Sequence, residues 1–354
     1  MFLNRTTMHT PIPPSKRAPA RAGGFSLVEL MVAIAIGLII MAGMTTLFVN
    51  NSAAQAEIEK VNRQIENGRY AMSTLTNDLR NAGFLGEYSP AALATPLALP
   101  DPCAVTEAAL VAALPLHVQG VDSVGSASLG CITDAMPGTD AIVVRHARTC
   151  VLGAANCGGV DDPGPFFQAS LCNNKLELDS GDAGDHYALA IAKTAMTRTR
   201  KDCLTTAVVR RYLVHIYYVA NNGVGSDGIP TLKRAELEAT DGGALEFNVV
   251  PLVEGIENLQ LQYGIDNALP ADGVADSYSA SPATAQGWRD VVSVKISLLA
   301  RNLQASPGYK AGKTYTLGAD VNGNDIVVTK ADGYKRHVFQ AVASMANPVG
   351  RRMP

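Results

Sequence analysis

The side chains of this 354-residue chain that could do chemistry are six cysteines, six histidines and a few close-set acidic groups. Every cysteine lies in one stretch: Cys103, Cys131, Cys150, Cys157, Cys172 and Cys203. A thiolate metal site needs close pairs such as C-x-x-C, and the nearest pair here, Cys150 and Cys157, has six residues between its members. An even set confined to one region reads instead as a disulfide framework made in an oxidising compartment. Pairing in chain order (Cys103–Cys131, Cys150–Cys157, Cys172–Cys203) is the simplest of the fifteen connectivities. The histidines, His9, His117, His146, His186, His215 and His337, are scattered, and His215 sits in an apolar run that reads as a core or sheet-face position rather than a ligand. There is no H-E-x-x-H, G-x-S-x-G or P-loop. A lone G-x-G-x-x-G at Gly223, Gly225 and Gly228 is followed by Pro230 and a strand-like run, so it reads as a hairpin turn rather than a phosphate cradle. The expectation is a protein with no catalytic constellation and no cofactor.

Three acidic loops have calcium-like composition. Asp266, Asp272 and Asp276 flank a turn at Gly273; Asp179, Asp182 and Asp185 alternate with glycine; Asp320, Asn322 and Asn324 have one-apart spacing without the glycine and distal glutamate of an EF-hand. Asp, Asn and Gly favour turns for backbone reasons, so each reads first as a solvated turn. The first set is the strongest calcium candidate of the three.

The most informative acid is Glu29. It is the one charge in residues 25–49, FSLVELMVAIAIGLIIMAGMTTLFV. As a helix this run spans roughly 37 Å, enough to cross a hydrocarbon core of about 30 Å. A carboxylate within such a helix costs roughly 2.5 kcal/mol or more, and so marks a group that finds a partner. Cleavage between Gly24 and Phe25 would place a new α-amine at the start of the helix, and Glu29 of one subunit could neutralise that amine on its neighbour. Desolvation makes both unpaired charges costly, so the pair would fix the register of packed helices. Residues 1–24 hold Arg5, Lys16, Arg17 and Arg21 and no acid; the whole chain is −3, which leaves −7 on the rest. A basic leader on an acidic body fits a leader kept in the cytoplasm while the body is exported, and argues against general nucleic-acid binding.

The elements that must position these groups follow from pattern. No proline occurs between Phe25 and Pro90. Ile58, Val61, Ile65, Gly68, Met72, Leu75, Leu79 and Ala82 form an apolar stripe, flanked by Glu57, Glu59, Lys60, Arg63, Glu66, Arg69, Asp78 and Arg80. Asn81-Ala-Gly83 supplies a stop. The pattern predicts one helix over about 25–82, its first half in membrane or filament and its second half packed on a head. Beyond Pro90 the apolar runs shorten. Predicted strands are Ala141–His146, Val208–Ala220, Leu245–Val253, Leu259–Ile265, Val291–Ala300, Asp325–Thr329 and His337–Met345. The fold class is α+β: a long N-terminal helix packed on an antiparallel β-sheet, with a loop-rich insertion at about 101–205 stapled by disulfides. The organisation is a leader over 1–24, the helix over 25–82, and a β-rich head over 83–354.

GGFSLVELMVAIAIG resembles the class III signal of type IV prepilins: a basic leader ending in glycine, phenylalanine as the first mature residue and glutamate at the fifth. The resemblance implies cleavage after Gly24 by prepilin peptidase, N-methylation of Phe25 and filament packing through Glu29. GRYAMSTLTNDLRNAGFLG at 68–86, PLVEGIENLQLQYGID at 251–266 and WRDVVSVKISLLAR at 288–301 are similar to the PilW family of minor pilins; with the N-terminus they cover about half the chain. At its end the sequence reads Ser344-Met-Ala-Asn347 in place of the family's Arg-Asn pair. What this implies is a non-enzymatic structural subunit that helps initiate or cap a pilus near its tip. Its partners would be other minor pilins, the major pilin, the peptidase, the assembly platform and a tip adhesin, and the pilus would serve adhesion and twitching motility. The protein would be held in the inner membrane by a single span, with its head in the periplasm, and then pass to a surface pilus. A minor pseudopilin of a type II secretion system shares the same N-terminal physics, and a membrane-tethered periplasmic binding or enzymatic module is the alternative from another class.

Overall fold

A computed structural model describes residues 24–124, 129–159, 163–172, 186–240, 242–310 and 312–353. The chain divides into two compact units, residues 1–56 and 57–354. A single helix, α1 (Leu27–Asn81), contributes to both. In the first unit it is long and apolar enough to cross a membrane. Its large apolar side chains from Leu27 to Val49 are 52–75% exposed, so more than half of each is left uncovered. Thr45 and Thr46 donate their hydroxyls to the carbonyls of Met41 and Ala42 (2.8 and 2.9 Å), which leaves no polar demand from either side chain in that stretch.

In the second unit α1 buries Gln64, Gly68, Ala71, Leu75 and Leu79, spaced by three and four residues. This differs from the apolar stripe of the sequence. Ile58 is 60% exposed, whereas Gln64 and Ala71 are buried. The reason is specific: Gln64 Nε2 donates to the carbonyls of Ala300 and Lys335 (2.7 and 3.2 Å), so a polar residue turns inward and sets the face. The helix stops where Gly83 takes φ +71° and its N–H meets the carbonyl of Arg145. The side chain of Asn347 donates to the carbonyls of Asn81 and Ala82, and Arg351 to that of Gly83, so the C-terminal segment closes the helix end.

Among the described residues the strands β1 to β13 pair antiparallel throughout. The larger sheet joins β1 (Val118–Val124), β2 (Thr139–Ala147), β3 (Phe166–Ala169), β4 (Tyr187–Ala190), β5 (Val209–Ala220), β6 (Thr231–Ala239) and β7 (Leu245–Glu254). Strand β5 is its spine: Tyr212–Tyr217 pair with β2, His215–Ala220 pair with β6, and Val209–Arg211 pair with β3. A second sheet has the order β13-β10-β8-β9, from β8 (Ile256–Ile265), β9 (Ser277–Ser279), β10 (Val291–Arg301) and β13 (Arg336–Ser344). Strands β11 (Lys313–Ala319) and β12 (Asp325–Lys330) form a separate hairpin. Short helices α2 (Glu107–Ala113), α3 (Ala285–Arg289) and α4 (Ala346–Gly350) fill the connections. The cysteine-bearing stretch thus supplies β1–β4 to the main sheet as well as its loops.

Alternation along the strands divides the core. Tyr217 and Val219 face a cluster that includes Leu75 and Leu79 of α1, Leu259 and Leu261 of β8, Ile296 and Leu298 of β10, and Trp288. Ile216 and Tyr218 face the other way, against Val143, Phe167, Leu110 and Leu114. Strand β2 is buried at all nine positions because both of its faces are covered. Burying a leucine such as Leu75 or Leu79 stabilises the packed helix by roughly 1.5–3 kcal/mol.

Candidate functional site

The start of α1 is built as a reciprocal cap. The Ser26 N–H donates to Glu29 Oε2 (2.9 Å), and the Glu29 N–H donates to Ser26 Oγ (3.2 Å). Glu29 therefore serves its own helix end, a role that an S-x-x-E pattern carries but that the charge argument alone does not consider. Gly24 and Phe25 lie just before this cap, and Phe25 is 88% exposed.

The cysteines pair in chain order: Cys103–Cys131, Cys150–Cys157 and Cys172–Cys203. The acidic loops use their carboxylates on backbone. Asp276 Oδ2 accepts from the N–H groups of Asn267 and Ala268, Asp272 Oδ1 from Val274, and Asp266 Oδ2 from Gly273, with Arg352 Nη1 3.6 Å from that oxygen. Asp320 likewise accepts from Asn322 and Asn324. Asp179, Asp182 and Asp185 lie outside the described residues. The glycine-rich run 223–228 is the β5–β6 turn, where Asp227 accepts from the N–H groups of Gly223, Val224 and Ile229.

Residues 251–266 and 288–301 form the end of β7 with β8, and the end of α3 with β10, so they are the centre of the second sheet and its contact with α1. Residues 216–347 match the family model Type IV Pilus-assembly protein W. Residues 19–45 match the prokaryotic N-terminal methylation motif. The two matches support a PilW-family type IV pilin. A type IV-like pilin from Thermus thermophilus is similar in structure at 11% identity, over 81% of this chain and 97% of that one, with a TM-score of 0.35. No curated protein matches the chain in sequence. The family is one of structural subunits, and the pilin is a minor one whose N-terminus has the form of a membrane-anchored prepilin.

The pilin also contains a buried polar cluster that the sequence does not reveal. Asp78, a flanking charge of the stripe by sequence, turns toward the main sheet. Its Oδ1 is 2.9 Å from His146 Nε2 and its Oδ2 is 2.8 Å from His215 Nδ1. The Tyr217 hydroxyl donates to Oδ2 (3.0 Å), and Arg234, which is paired with Glu236, donates to the Tyr217 oxygen (3.4 Å). His146 Nδ1 is 2.9 Å from the carbonyl of Ala147. The side chains of Asp78, His146 and His215 keep only 13%, 5% and 9% of their exposure. Burial pushes the Asp78 carboxyl up, but the charge of His215 and the hydrogen bonds of both histidines outweigh it and hold the group well below the usual carboxylate range. His215 is therefore a buried residue with a polar partner on the helix, not a packing residue alone. His117 is different: burial drives its pKa down to about 3, and its Nε2 meets only the carbonyl of Val291 (2.7 Å).

Proposed function

We propose that this pilin is cut after Gly24, methylated on Phe25, and built into a type IV pilus, where it helps initiate or cap the filament at or near the tip. Its partners are the other minor pilins, the major pilin, the peptidase, the assembly platform and a tip adhesin. In this reading residues 1–24 are the leader, α1 is shared between filament and head, and the remainder is the periplasmic head. One observation carries the proposal: Gly24 and Phe25 stand directly ahead of a capped, apolar helix whose large side chains from Phe25 to Val49 are all more than half exposed. That surface needs lipid before assembly and neighbouring helices after it. The bulky disulfide-bonded head favours an end position, since it fits poorly into a repeating shaft.

The capping box makes the role of Glu29 separable by experiment. Glutamine at this position keeps the cap but not the charge, whereas alanine loses both. If Glu29 pairs with the Phe25 amine of a neighbour, Glu29→Gln and Glu29→Ala proteins both insert in the membrane and both fail to enter sheared pili. Ser26→Ala, which removes half of the cap, enters at near wild-type levels. Normal entry of Glu29→Gln with loss of Ser26→Ala would leave only the cap and defeat the pairing argument. Mass spectrometry of the pilus fraction supplies the processing arm: a chain beginning at methylated Phe25 supports the proposal, and a chain that retains residues 1–24 overturns it.

A further inference from the structure

The hydrogen-bond geometry at Asp78 leaves a positive charge to be supplied. The carbonyl of Ala147 can only accept, so His146 Nδ1 carries the hydrogen. A neutral ring then presents a lone pair at Nε2, 2.9 Å from Asp78 Oδ1, which is itself an acceptor. Two lone pairs cannot face one another at that distance without a cation at them. His146 has the arrangement typical of a metal-binding histidine, with one ring nitrogen anchored to a backbone carbonyl and the other aimed into the site. The Tyr217 hydroxyl orients the carboxylate in the same outer-layer manner.

We propose that Asp78, His146 and His215 form a binding site for a borderline divalent transition-metal ion, with zinc the first choice. The ligand atoms, Asp78 Oδ, His146 Nε2 and His215 Nδ1, all lie within 4.8 Å of one another. Ligands about 2.0–2.1 Å from a tetrahedral zinc stand roughly 3.3 Å apart, so the 2.8 and 2.9 Å separations, made to the two Asp78 oxygens, open by about half an ångström and the two ring nitrogens, within 4.8 Å, close by up to about 1.5 Å. Two imidazoles with one carboxylate suit zinc and disfavour calcium, which takes oxygen ligands. The thiols do not compete, because every cysteine is in a disulfide. On binding, the ion takes lone pairs from His146 Nε2, His215 Nδ1 and Asp78. A neutral His215 moves its proton from Nδ1 to Nε2, and an imidazolium releases its proton to solvent; a water completes the fourth position. Asp78 lies on α1, His146 on β2 and His215 on β5, so the ion lashes the helix to two strands of the main sheet.

The test uses full-length, untagged protein in detergent, stripped with a chelator. Dialysis against zinc chloride should leave about one zinc per chain by mass spectrometry, and cobalt(II) should give the intense visible bands of a tetrahedral site. Zinc at a hundredfold excess over its Kd should raise the melting temperature by roughly 5 °C. Asp78→Asn, His146→Gln and His215→Gln should each lower zinc affinity at least tenfold. The cobalt spectrum needs no variant, so the proposal stays testable if a variant fails to fold. No cobalt bands and no thermal response at millimolar metal would overturn it, and would assign the gap to a proton on His146. Undiminished stoichiometric uptake by folded His146→Gln and His215→Gln would overturn it as well, by placing the ion elsewhere.

Discussion

A methyl group added at Gly68 sets two known effects against each other. On an exposed helix Gly→Ala stabilises by about 1 kcal/mol, through backbone entropy. Here the new Cβ would stand 2.1, 2.5 and 2.6 Å from three ring atoms of Phe339 on β13. Ordinary carbon contacts are about 3.5–4.0 Å, so the ring must retreat by roughly 1.4 Å or the helix must lift. Phe339 is packed edge-on to His337 with centroids 4.7 Å apart, and its backbone is paired with Leu298. Lifting the helix would disturb the Gln64 and Leu75 contacts on the same face. Overpacking of this kind costs about 1–3 kcal/mol. The net expectation is a loss of up to about 2 kcal/mol for Gly68→Ala.

Thermal or urea unfolding of the full chain, followed by tryptophan fluorescence, measures this cleanly. The single tryptophan, Trp288, is buried and packs on Tyr263 at 4.5 Å, so it reports on the head and not on the apolar segment. Phe339→Ala supplies the control. With the ring gone, Gly68→Ala should become stabilising by about 1 kcal/mol, which gives a coupling of roughly 1–3 kcal/mol in the double-mutant cycle. A stabilising Gly68→Ala in the wild-type background, or additivity within about 0.5 kcal/mol, would refute the packing argument.

Three further outcomes follow from single features. Burial pushes the Asp140 carboxyl up to about 7, against hydrogen bonds from the Ser123 and Leu261 N–H groups and with the nearby Asp122 adding to the rise. The folded pKa is above the unfolded one, so this group stabilises at acid pH and the contribution is lost as pH rises toward and through 7; the stability difference between wild type and Asp140→Asn should shrink from pH 4 to pH 8, and a flat difference would count against it. Loop closure gives about 3.6 kcal/mol for Cys103–Cys131 and about 2.5 kcal/mol for Cys150–Cys157, so the paired Cys→Ala variant of the first should be about 1 kcal/mol less stable than that of the second in urea, and the reverse order would show that chain entropy does not rank them. The Arg336 side chain is 2% exposed between Glu257 and Asp332, and Arg336→Met should cost about 3–5 kcal/mol by leaving Glu257 uncompensated; a loss under 1 kcal/mol would mean that water reaches Glu257.

The fold class was legible because its strongest signals are local. A proline-free run with an apolar stripe and a glycine stop marks α1, and β-branched runs mark β5 and β10. Where local pattern and tertiary context disagree, the sequence is silent or misleading. Thr231–Ala239 reads TLKRAELEA, a helix-like composition, yet it is a strand because β5 and β7 pair with both of its edges. There Lys233 reaches Asp134 (2.7 Å), which satisfies a charge that has become buried. Phe166–Ala169 and Tyr187–Ala190 are four residues each, too short to show a period. The Asp78 cluster had no local signal at all. Its members are 68 and 137 residues apart, and only the register that sets Val144 opposite His215 brings the two imidazoles to one carboxylate. The S-x-x-E pattern at Ser26 and Glu29 was missed, and a capping rule could have found it.

Those polar residues add to what the apolar face of α1 does. Gly68, Ala71, Leu75 and Leu79 fill a groove, and a slip of one turn, about 5.4 Å, is opposed there by the close approach of Gly68 to Phe339. Gln64 and Asp78 add two directional contacts that oppose it. They stand fourteen residues apart, about 21 Å along the axis, and each meets partners fixed by the two sheets. A slip would leave an amide and a carboxylate buried without partners, costing about 1–3 kcal/mol for the first and more for the second. The small residues let the helix approach, and the two polar contacts help decide where along its length it stops. Replacing Gln64 with leucine should therefore preserve much of the stability while loosening the register. Amide exchange over residues 57–81 would show this as faster opening than wild type, while Gln64→Glu, which keeps the size and adds a buried charge, should lower stability outright.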